Sequence, residues 1–304
     1  MLRPAESSER VRAGRTWSSS RTVREVLAWA TDVLSQARVS SAGLDAEVLL
    51  AHVLGWTRAK LHARPEFDLM DSQRHAFRVS VGRRRSREPV AYIIGHREFY
   101  GLDFVVDRRV LIPRPETELL VECALEAGAR LLAEGRELLL ADIGTGSGAV
   151  AVSLAVNLAG ATIYATEASA EAMEVAALNV ARHGVSGRVQ LLGGNLVDPL
   201  AKRVHIMVAN LPYIRTEQLA SLMPEVAAYE PRVALDGGTD GLVHIRRLLE
   251  QAGRWFLPRG VLLAEIGAEH GQEVLVLAEQ CYPAAELELF QDYAGLDRVV
   301  RIAT

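Results

Sequence analysis

The sequence predicts an α/β protein in which a parallel sheet covered by helices follows a small helical domain. After about residue 135, short apolar runs alternate with helical stretches, which is the pattern of a parallel sheet with helices on both faces. Before that point, apolar residues recur at helical spacing from residue 22 to residue 90. A loop with three glycines joins the first predicted strand to the helix after it. Together these observations indicate a Rossmann-like domain preceded by a helical one.

The composition is that of a globular protein with a sizeable core. Of 304 residues, 49% are hydrophobic and 24% are charged, which suits one large domain or two smaller ones. The net charge of −4 gives no global electrostatic reason to bind nucleic acid. Cys123 and Cys281 lack the spacing of a zinc site or a disulfide framework, so we expect no metal and a reducing, cytoplasmic location. No apolar run reaches the about 18 residues that a membrane span needs.

Residues 1–21 are expected to form a disordered tail. They are rich in Ser and Arg and lack the apolar stretch of a secretory signal. An organelle transit peptide is the alternative, but Glu6 and Glu9 count against it because transit peptides contain few acidic residues.

Residues 22–92 are predicted to form the helical domain. Thr22 and Glu25 make a capping box at the start of the first helix. A second helix ends at Gly55, because glycine commonly terminates helices. A third helix is expected to begin with Asp71 as its N-cap.

Two segments follow the helical domain. Residues 93–115 contain Gly101, Pro113 and Pro115, and we interpret them as an interdomain linker or a β-hairpin. Residues 116–304 are predicted to form the larger domain. Its first strands are expected at 137–142, 161–166, 188–193, 204–209 and 260–267, with helices at 148–158 and 170–183 among them. The C-terminal residues are expected to form two strands joined by a turn around Gly295.

The loop after the first predicted strand has the pattern of a cofactor site. Gly144, Gly146 and Gly148 let a ligand approach the backbone and leave the helix N-terminus free to contact it. Glu167, at the end of the next strand, can accept both hydroxyls of a ribose. The GxGxG spacing differs from dinucleotide loops and favours S-adenosylmethionine, with a dinucleotide or a purely structural turn as the alternatives. Asp142, just before the loop, is expected to orient it.

Asn210 begins a second candidate loop, Asn-Leu-Pro-Tyr at 210–213. It ends the fourth predicted strand, so it should face the same crevice as the glycine loop. A planar nitrogen, as in an amide, is a poor nucleophile, and two acceptors aimed at its N–H groups would hold it in line with a methyl group. The expected acceptors are the Asn210 side-chain oxygen and the Leu211 carbonyl, with Pro212 keeping Leu211 extended and Tyr213 packing on the planar group. A strand-exit turn with a capping Asn is the alternative.

Five stretches carry a resemblance to a known family, and the glycine loop is one of them. They are residues 87–122, the GTGSG loop, and residues 229–242, 264–272 and 292–300. On them the chain resembles the HemK/PrmC family of release factor glutamine methyltransferases over most of residues 22–304. The resemblance implies a helical domain that helps dock a peptide chain release factor. It also implies a second domain that methylates the glutamine of the factor's Gly-Gly-Gln motif with S-adenosylmethionine. We expect a monomer with no membrane contact and no direct nucleic-acid substrate.

The resemblance also carries over to single residues. It implies that the methionine part of the cofactor lies against Gly144, Thr145, Gly146, Ser147 and Gly148. Glu167 would bind the ribose, and Asn195 and Leu196 would lie beside the adenine. The residues that receive the glutamine would be Asn210, Leu211, Pro212 and Tyr213, with Asn210 also bordering the cofactor. Residues implied to line the same crevice are Phe99, Pro113 and Arg114.

The chain departs from the family pattern at three positions. Leu211 stands where the family usually has proline, but leucine supplies the same backbone carbonyl. Asn195 stands where an acid is common, which weakens one expected bond to the adenine. Leu196 stands where some relatives have an aromatic residue, so an apolar contact replaces stacking.

Two other functions stay open at this point. The Asn-Leu-Pro-Tyr loop is also similar to that of rRNA adenine dimethyltransferases, whose target is an aromatic amine. A basic cluster is either a surface for RNA or a solvated helix face, and it comprises Arg83, Arg84, Arg85 and Arg87. The leading helical domain and the negative net charge count against RNA. A non-catalytic S-adenosylmethionine-binding protein is the third function, against which the intact loop, Glu167 and Asn210 count.

Two structural interpretations complete the sequence-based predictions. A salt bridge between Glu230 and Arg232 at the substrate entrance is one interpretation of the Glu-Pro-Arg sequence, and we leave it open. His205 lies inside a predicted strand and is interpreted as a core histidine rather than a base.

Overall fold

The computed structural model describes residues 21–133 and 137–304, so the predicted tail lies outside it except for Arg21. The chain divides into two compact units, Met1–Ile94 and Gly95–Thr304. Within the part of the chain that is described, no helix combines the length and apolar character needed to cross a membrane. The same residues contain no group of three or more His, Cys, Asp or Glu side chains able to hold a metal ion.

The first unit is helical. Its helices are α1 (Val23–Gln36), α2 (Ala42–Leu54), α3 (Arg58–Ala63), α4 (Asp71–Arg85) and α5 (Val90–Ile94). The predicted capping box is confirmed: Glu25 N–H donates to Thr22 Oγ1 at 3.3 Å, and Thr22 N–H donates to Glu25 Oε2 at 3.1 Å. Gly55 ends α2 in the left-handed conformation, with φ 63°.

The predicted start of the third long helix is wrong by one residue. Asp71 is the first residue of α4, and Met70 occupies the N-cap position. A cap bond still forms there, because Met70 N–H donates to Gln73 Oε1 at 3.0 Å. The core of this unit is built mainly from buried apolar side chains on α1, α2 and α4, including Val26, Leu34, Leu49, Leu50 and Phe77.

Two members of the basic cluster are engaged in structural ion pairs. Arg84 is buried and donates from Nε to Asp45 Oδ2 at 2.6 Å. Arg83 donates from Nε to Glu88 Oε2 at 2.8 Å, and the Glu88 side chain is only 7% exposed. The interpretation of the whole cluster as a solvated helix face is therefore wrong at Arg84, which holds α4 against α2.

The second unit begins with a β-hairpin and a long helix. Strands β1 (His96–Phe99) and β2 (Leu102–Val105) pair antiparallel. The turn between them needs positive φ at Tyr100 and Gly101, 51° and 73°. A 3₁₀ turn at Pro115–Thr117 leads into α6 (Glu118–Ala133).

The remaining chain forms a seven-stranded sheet with helices. Its strands are β3 (Leu138–Ile143), β4 (Ala161–Glu167), β5 (Val189–Gly193), β6 (Val204–Asn210), β7 (Phe256–Glu265), β8 (Glu286–Gln291) and β9 (Asp297–Ala303). The helices are α7 (Ala149–Asn157), α8 (Ala170–Arg182), α9 (Pro224–Tyr229), α10 (Val243–Ala252) and α11 (Gly271–Cys281). The α/β prediction, each predicted strand and the C-terminal hairpin are confirmed, although β7 starts four residues earlier than expected.

The order of the strands creates a switch point beside β3. The order is β5-β4-β3-β6-β7-β9-β8, with β3 to β7 parallel and β9 antiparallel to both of its neighbours. From β3 the chain moves first toward β5 and then crosses back to β6, so the crevice lies where β3 and β6 end. Ile143 pairs with Ala209 in this register. The glycine loop after β3 and Asn210 at the end of β6 therefore lie side by side.

Candidate active site

A cavity of about 220 Å³ lies at the carboxyl ends of the central strands. Most of the predicted site residues line it, namely Phe99, Pro113, Arg114, Gly144, Thr145, Gly146, Ser147, Glu167, Asn195, Leu196, Asn210, Leu211 and Pro212. Residues not predicted from the sequence complete the wall, among them Val110, Thr117, Ser169, Val233 and His244. Gly148 and Tyr213, which were predicted to contact ligands, do not belong to the lining.

Asp142 holds the glycine loop through two hydrogen bonds. Its Oδ2 accepts from Thr145 Oγ1 at 2.6 Å and from Ala151 N–H at 3.1 Å, which joins the loop to the start of α7. Burial raises the pKa of Asp142 to about 6, and the hydrogen bonds from Thr145 and Ala151 oppose that rise. Gly144 and Gly146 have φ of 74° and 56°, a region that suits glycine. The expected orienting role of Asp142 is therefore supported by its contacts.

Gly148 serves the backbone turn into α7. It caps α7 with φ 80°, and a Cβ there would lie 3.4 Å from the Cα of Ala176 on α8. The positive φ is what favours glycine here, because 3.4 Å is an ordinary contact distance that a side chain tolerates. The third glycine of the motif therefore has a backbone role and lies outside the cavity.

Glu167 bridges the glycine loop and the start of α8. Its Oε2 accepts from Gly146 N–H at 2.8 Å, and its Oε1 accepts from Ser169 N–H at 2.8 Å. A carboxylate oxygen has a second lone pair, so each oxygen can take a further hydrogen bond. Because Glu167 also lines the cavity, these lone pairs are available to two neighbouring hydroxyl groups of a ligand.

Asn195 and Leu196 form the wall beyond β5. Leu196 is buried and adopts φ 48°, unusual for a leucine, while Asn195 is exposed. Asn195 is tied into its turn because its carbonyl accepts from Asp198 N–H at 3.0 Å. Both residues line the cavity, so this part of its wall combines a buried apolar residue with an exposed amide residue.

The Asn210 amide is fixed by a hydrogen bond. Its Nδ2 donates to Thr117 Oγ1 at 3.0 Å. Leu211 is buried, and a Cβ at Gly144 would lie 3.1 Å from its Cδ2. The side chain that departs from the family pattern therefore packs against the glycine loop and joins the two candidate loops.

The stretch after α9 holds the Asn-Leu-Pro-Tyr loop in place. Ile214 N–H donates to Leu235 O at 3.0 Å, and Gly237 N–H donates to Ile214 O at 2.8 Å. A Cβ at Gly237 would lie 2.8 Å from Pro212 O, closer than a side chain can approach a backbone atom. Gly237 is therefore required for the loop to pack as it does.

Tyr213 supports the loop from behind. A Cβ at Gly267 would lie 3.3 Å from Tyr213 Cδ2, which places the ring against the turn that follows β7. Burial and the nearby Glu265 raise the pKa of Tyr213 to about 12. The prediction that this ring packs on a substrate group has no support in the lining of the cavity.

Glu230 pairs with Arg114 and not with Arg232. Arg114 Nη2 donates to Glu230 Oε1 at 2.6 Å, and Ile112 N–H donates to Glu230 Oε2 at 3.3 Å. Arg232 instead contacts Asp236 Oδ2 at 3.1 Å. The salt-bridged corner that the Glu-Pro-Arg sequence allowed is therefore wrong, because the buried Glu230 faces the segment before α6.

Sequence reasoning missed two polar residues behind Asn210. Thr117 accepts from its amide, and Glu265 on β7 is its neighbour across the sheet. Both lie within stretches that carry the family resemblance, at 87–122 and 264–272. The strand order would have placed Glu265 beside Asn210, but no local pattern brings Thr117 there.

Family comparisons agree with both units of the structure. Residues 25–95 match the PrmC N-terminal domain family, and residues 117–252 match the methyltransferase small domain family. A release factor glutamine methyltransferase of Geobacter sulfurreducens is 41% identical over 285 residues, covering 92% of this chain and 95% of the relative. The chain belongs to the release factor glutamine methyltransferase family. This confirms the resemblance inferred from the motifs.

Other members of the release factor glutamine methyltransferase family align over nearly their whole length. The member from Moorella thermoacetica is 42% identical over 278 residues, covering 91% of this chain and 96% of the relative. The member from Bacillus anthracis is 36% identical, covering 91% of this chain and 98% of the relative. The chain is therefore a methyltransferase, and its methyltransferase domain indicates S-adenosylmethionine as the cofactor.

A solved structure supports the fold of this family member. The hMettl16 catalytic domain in complex with a 3'UTR hairpin aligns with a TM-score of 0.53 at 15% identity. The alignment covers 80% of this chain and 86% of that chain. At this identity the likeness concerns the methyltransferase fold alone.

Proposed function

We propose that this protein transfers a methyl group from S-adenosylmethionine to the side-chain amide nitrogen of the glutamine in the Gly-Gly-Gln motif of peptide chain release factors. One observation carries the proposal. The Nδ2 atom of Asn210 is bound by Thr117, so Oδ1 is the end of that amide that can accept a hydrogen bond in the cavity. An acceptor beside the glycine loop is what an incoming NH₂ group needs.

The residues of the cavity fit the cofactor. Gly144 and Gly146 leave space where a Cβ would otherwise stand, and Glu167 has lone pairs for two ribose hydroxyls. Leu196 gives an apolar surface for the adenine, and Asn195 lies next to it. When bound, the cofactor supplies an electrophilic methyl group on a sulfonium.

The protein's own contribution to transfer is orientation. Asn210 Oδ1 and the Leu211 carbonyl would accept the two N–H groups of the glutamine amide, which fixes the direction of its nitrogen lone pair. The same acceptors stabilise the positive charge that develops on that nitrogen. Transfer forms the nitrogen–carbon bond as the sulfur–carbon bond breaks, and the methylated amide then releases its extra proton to solvent. The mechanism therefore assigns no general base.

The structure favours a protein substrate over RNA. Arg84 is buried against Asp45, and the charge of Arg83 is paired with Glu88, so the centre of the basic cluster offers less free positive charge to phosphates. The relatives that align over more than nine-tenths of this chain are named as release factor glutamine methyltransferases. We further propose that the protein acts as a monomer in the cytoplasm, where release factors function.

The test offers both substrate classes at once. The protein is incubated with S-adenosylmethionine labelled in its methyl group, a purified release factor and deproteinised rRNA. Label is expected on the release factor, at the glutamine of Gly-Gly-Gln when located by mass spectrometry, and a factor with that glutamine replaced by alanine is the control. Label in rRNA and not in the release factor would refute the proposal. Cofactor binding by calorimetry without transfer to either substrate would indicate a binding protein instead.

A further inference from the structure

Asn210 and Glu265 end neighbouring strands in the same register. They are paired across the parallel strands β6 and β7. Thr117 reaches them from the 3₁₀ turn before α6, and its Oγ1 accepts from Asn210 Nδ2 at 3.0 Å. Glu265 and Thr117 are buried, with exposures of 4% and 5%. Three polar side chains from three separate segments thus meet behind the proposed substrate nitrogen.

The donors and acceptors of this group have one consistent direction. The Glu265 carboxyl is buried beside both side chains, which favour its charged form, and its Oε2 has no hydrogen-bond partner among the described residues. An ionised carboxylate can only accept. Thr117 Oγ1 uses a lone pair for the Asn210 amide, so its own proton remains to face the nearby carboxylate. A carboxylate attracts N–H and repels C=O, so the NH₂ end of Asn210 lies on the side of Thr117 and Glu265, and Oδ1 is left toward the cavity.

The opposite orientation of the Asn210 amide would abolish the proposed site. Turned over, the amide would direct Oδ1 at the Glu265 carboxylate and present its NH₂ group to the substrate. Two NH₂ groups facing each other offer no acceptor, and an oxygen beside a carboxylate is repelled. An amide alone has no preference between its two ends, so a neighbour has to select one.

We propose that Glu265, acting partly through Thr117, is a positioning residue that orients the Asn210 amide with its oxygen toward the substrate nitrogen. This inference deepens the proposed function and rests on it. It assigns to the end of β7 a role that neither the glycine loop nor the Asn-Leu-Pro-Tyr motif contains. Glu265 itself does not line the cavity, so it acts through the two residues that do.

The charge of Glu265 makes the effect depend on pH. Burial raises its pKa to about 7, opposed by Thr117, Arg298 and Asn210. The groups that face it across the surrounding elements are Thr117, Glu116, Asn210, Tyr213 and Arg298. Above that pH the ionised carboxylate can only accept and so selects one amide orientation. Below it, a protonated carboxyl can also donate, and the selection is lost.

The first experiment compares Thr117→Val, Thr117→Ser and Glu265→Gln with the wild type on a release factor. Thr117→Val is expected to lower kcat by about tenfold, since it removes the acceptor that holds Asn210 Nδ2, and Thr117→Ser should restore most of it. The dissociation constant for S-adenosylmethionine, measured by calorimetry, should change less than about twofold. Glu265→Gln should flatten the rise of kcat with pH around neutrality. Thr162→Val in β4, outside the lining, is the matched control.

The second experiment reads the orientation without any substrate. The side-chain amide signal of Asn210 in a ¹⁵N–¹H NMR spectrum is assigned by its loss in Asn210→Ser. Its proton shifts should follow the titration of Glu265 in the wild type and stay constant with pH in Glu265→Gln. Unchanged Asn210 signals in Thr117→Val and Glu265→Gln, together with wild-type kcat and pH profiles, would overturn the inference. Orientation signals that behave as expected in a protein that methylates no release factor would support it while refuting the proposed substrate.

Discussion

Arg114 and Glu230 form an ion pair in which Arg114 Nη2 lies 2.6 Å from Oε1 of the buried Glu230. The side chain of Glu230 is 1% exposed and that of Arg114 is 31% exposed. Glu230 also accepts from Ile112 N–H at 3.3 Å. The pair joins the segment before α6 to the segment after α9, and residues of both segments line the cavity.

Removing Arg114 is expected to cost more stability than neutralising Glu230. Arg114→Met leaves a buried carboxylate with only the Ile112 N–H, which should cost roughly 2 kcal/mol, less than a fully buried pair because Arg114 is partly exposed. Glu230→Gln keeps an acceptor for Arg114 and should cost less. Urea unfolding measures both. The double variant should be more stable than Arg114→Met alone, and equal losses for the two single variants would contradict this account. Arg232→Met, with a side chain 72% exposed, is the control and should change stability little.

Asn210→Ala is expected to lose most methyl transfer while keeping cofactor affinity. The variant removes the proposed acceptor but leaves the Gly144 backbone and Glu167 in place. Losing one oriented hydrogen-bond partner at the reacting atom costs about a hundredfold in kcat. Labelled-methyl transfer and calorimetry measure the two properties separately. Asn157→Ala, exposed at the end of α7, is the matched control. Wild-type transfer by Asn210→Ala would show that the acceptor mechanism is wrong.

Gly237→Ala should reduce methyl transfer although Gly237 does not line the cavity. Its Cβ would lie 2.7 Å from Gly241 O and 2.8 Å from Pro212 O, so the Asn-Leu-Pro-Tyr loop has to move. A shift of about 1 Å at the reacting group can cost about a hundredfold in rate. Steady-state kinetics should show a lower kcat, and calorimetry should show retained cofactor binding. Gly187→Ala, where a Cβ meets nothing within 4 Å, provides the control. Equal rates for the two variants would refute the steric argument.

Glu167→Gln is expected to weaken cofactor binding. The carboxylate accepts from Gly146 N–H and Ser169 N–H, and an amide would turn one of these acceptors into a donor. The variant loses charge-assisted hydrogen bonds both to the loop and to the ribose, so its dissociation constant should rise by about ten- to a hundredfold. Calorimetry with S-adenosylmethionine measures it. Glu171→Gln, exposed on α8, should bind normally, and an unchanged constant for Glu167→Gln would exclude Glu167 from the ribose site.

The strands and the position of the site could be predicted from the sequence because both depend on local patterns. The apolar runs of β3 and β6 and the glycines between β3 and α7 are each contained in fewer than about ten residues, and parallel strands bring their carboxyl ends together. Gly144, Glu167 and Asn210 were found in this way, and all three line the cavity.

The pairings between distant segments could not be predicted. Thr117 and Asn210 are 93 residues apart, and Arg114 and Glu230 are 116 apart. Arg232 was the nearer partner for Glu230 along the chain, but Glu230 binds Arg114 and Arg232 binds Asp236. Gly148 and Tyr213 were assigned to ligands because they belong to motifs. Neither lines the cavity: Gly148 turns the backbone into α7 with positive φ, and Tyr213 lies against the turn after β7.

Glu265→Gln should stabilise the protein, and increasingly so as pH rises toward neutrality. Burial raises the pKa of Glu265 from 4.5 to about 7, so the folded state holds a proton that the unfolded chain releases. That favourable contribution is complete below about pH 4.5 and is lost by about pH 7, above which the wild type keeps a buried charge. Glutamine carries no charge, so the stability difference should grow across this interval to roughly 3 kcal/mol at most.

Urea unfolding at several pH values measures this difference, with Glu273→Gln on the exposed face of α11 as the control. The control should show no comparable change across the interval. A difference between wild type and Glu265→Gln that stays constant with pH would show that the carboxyl is not held protonated by burial. The expected combination is a variant that is more stable near neutral pH and slower in methyl transfer. Such a combination would indicate that the buried carboxylate is retained for orienting Asn210 at a cost in stability.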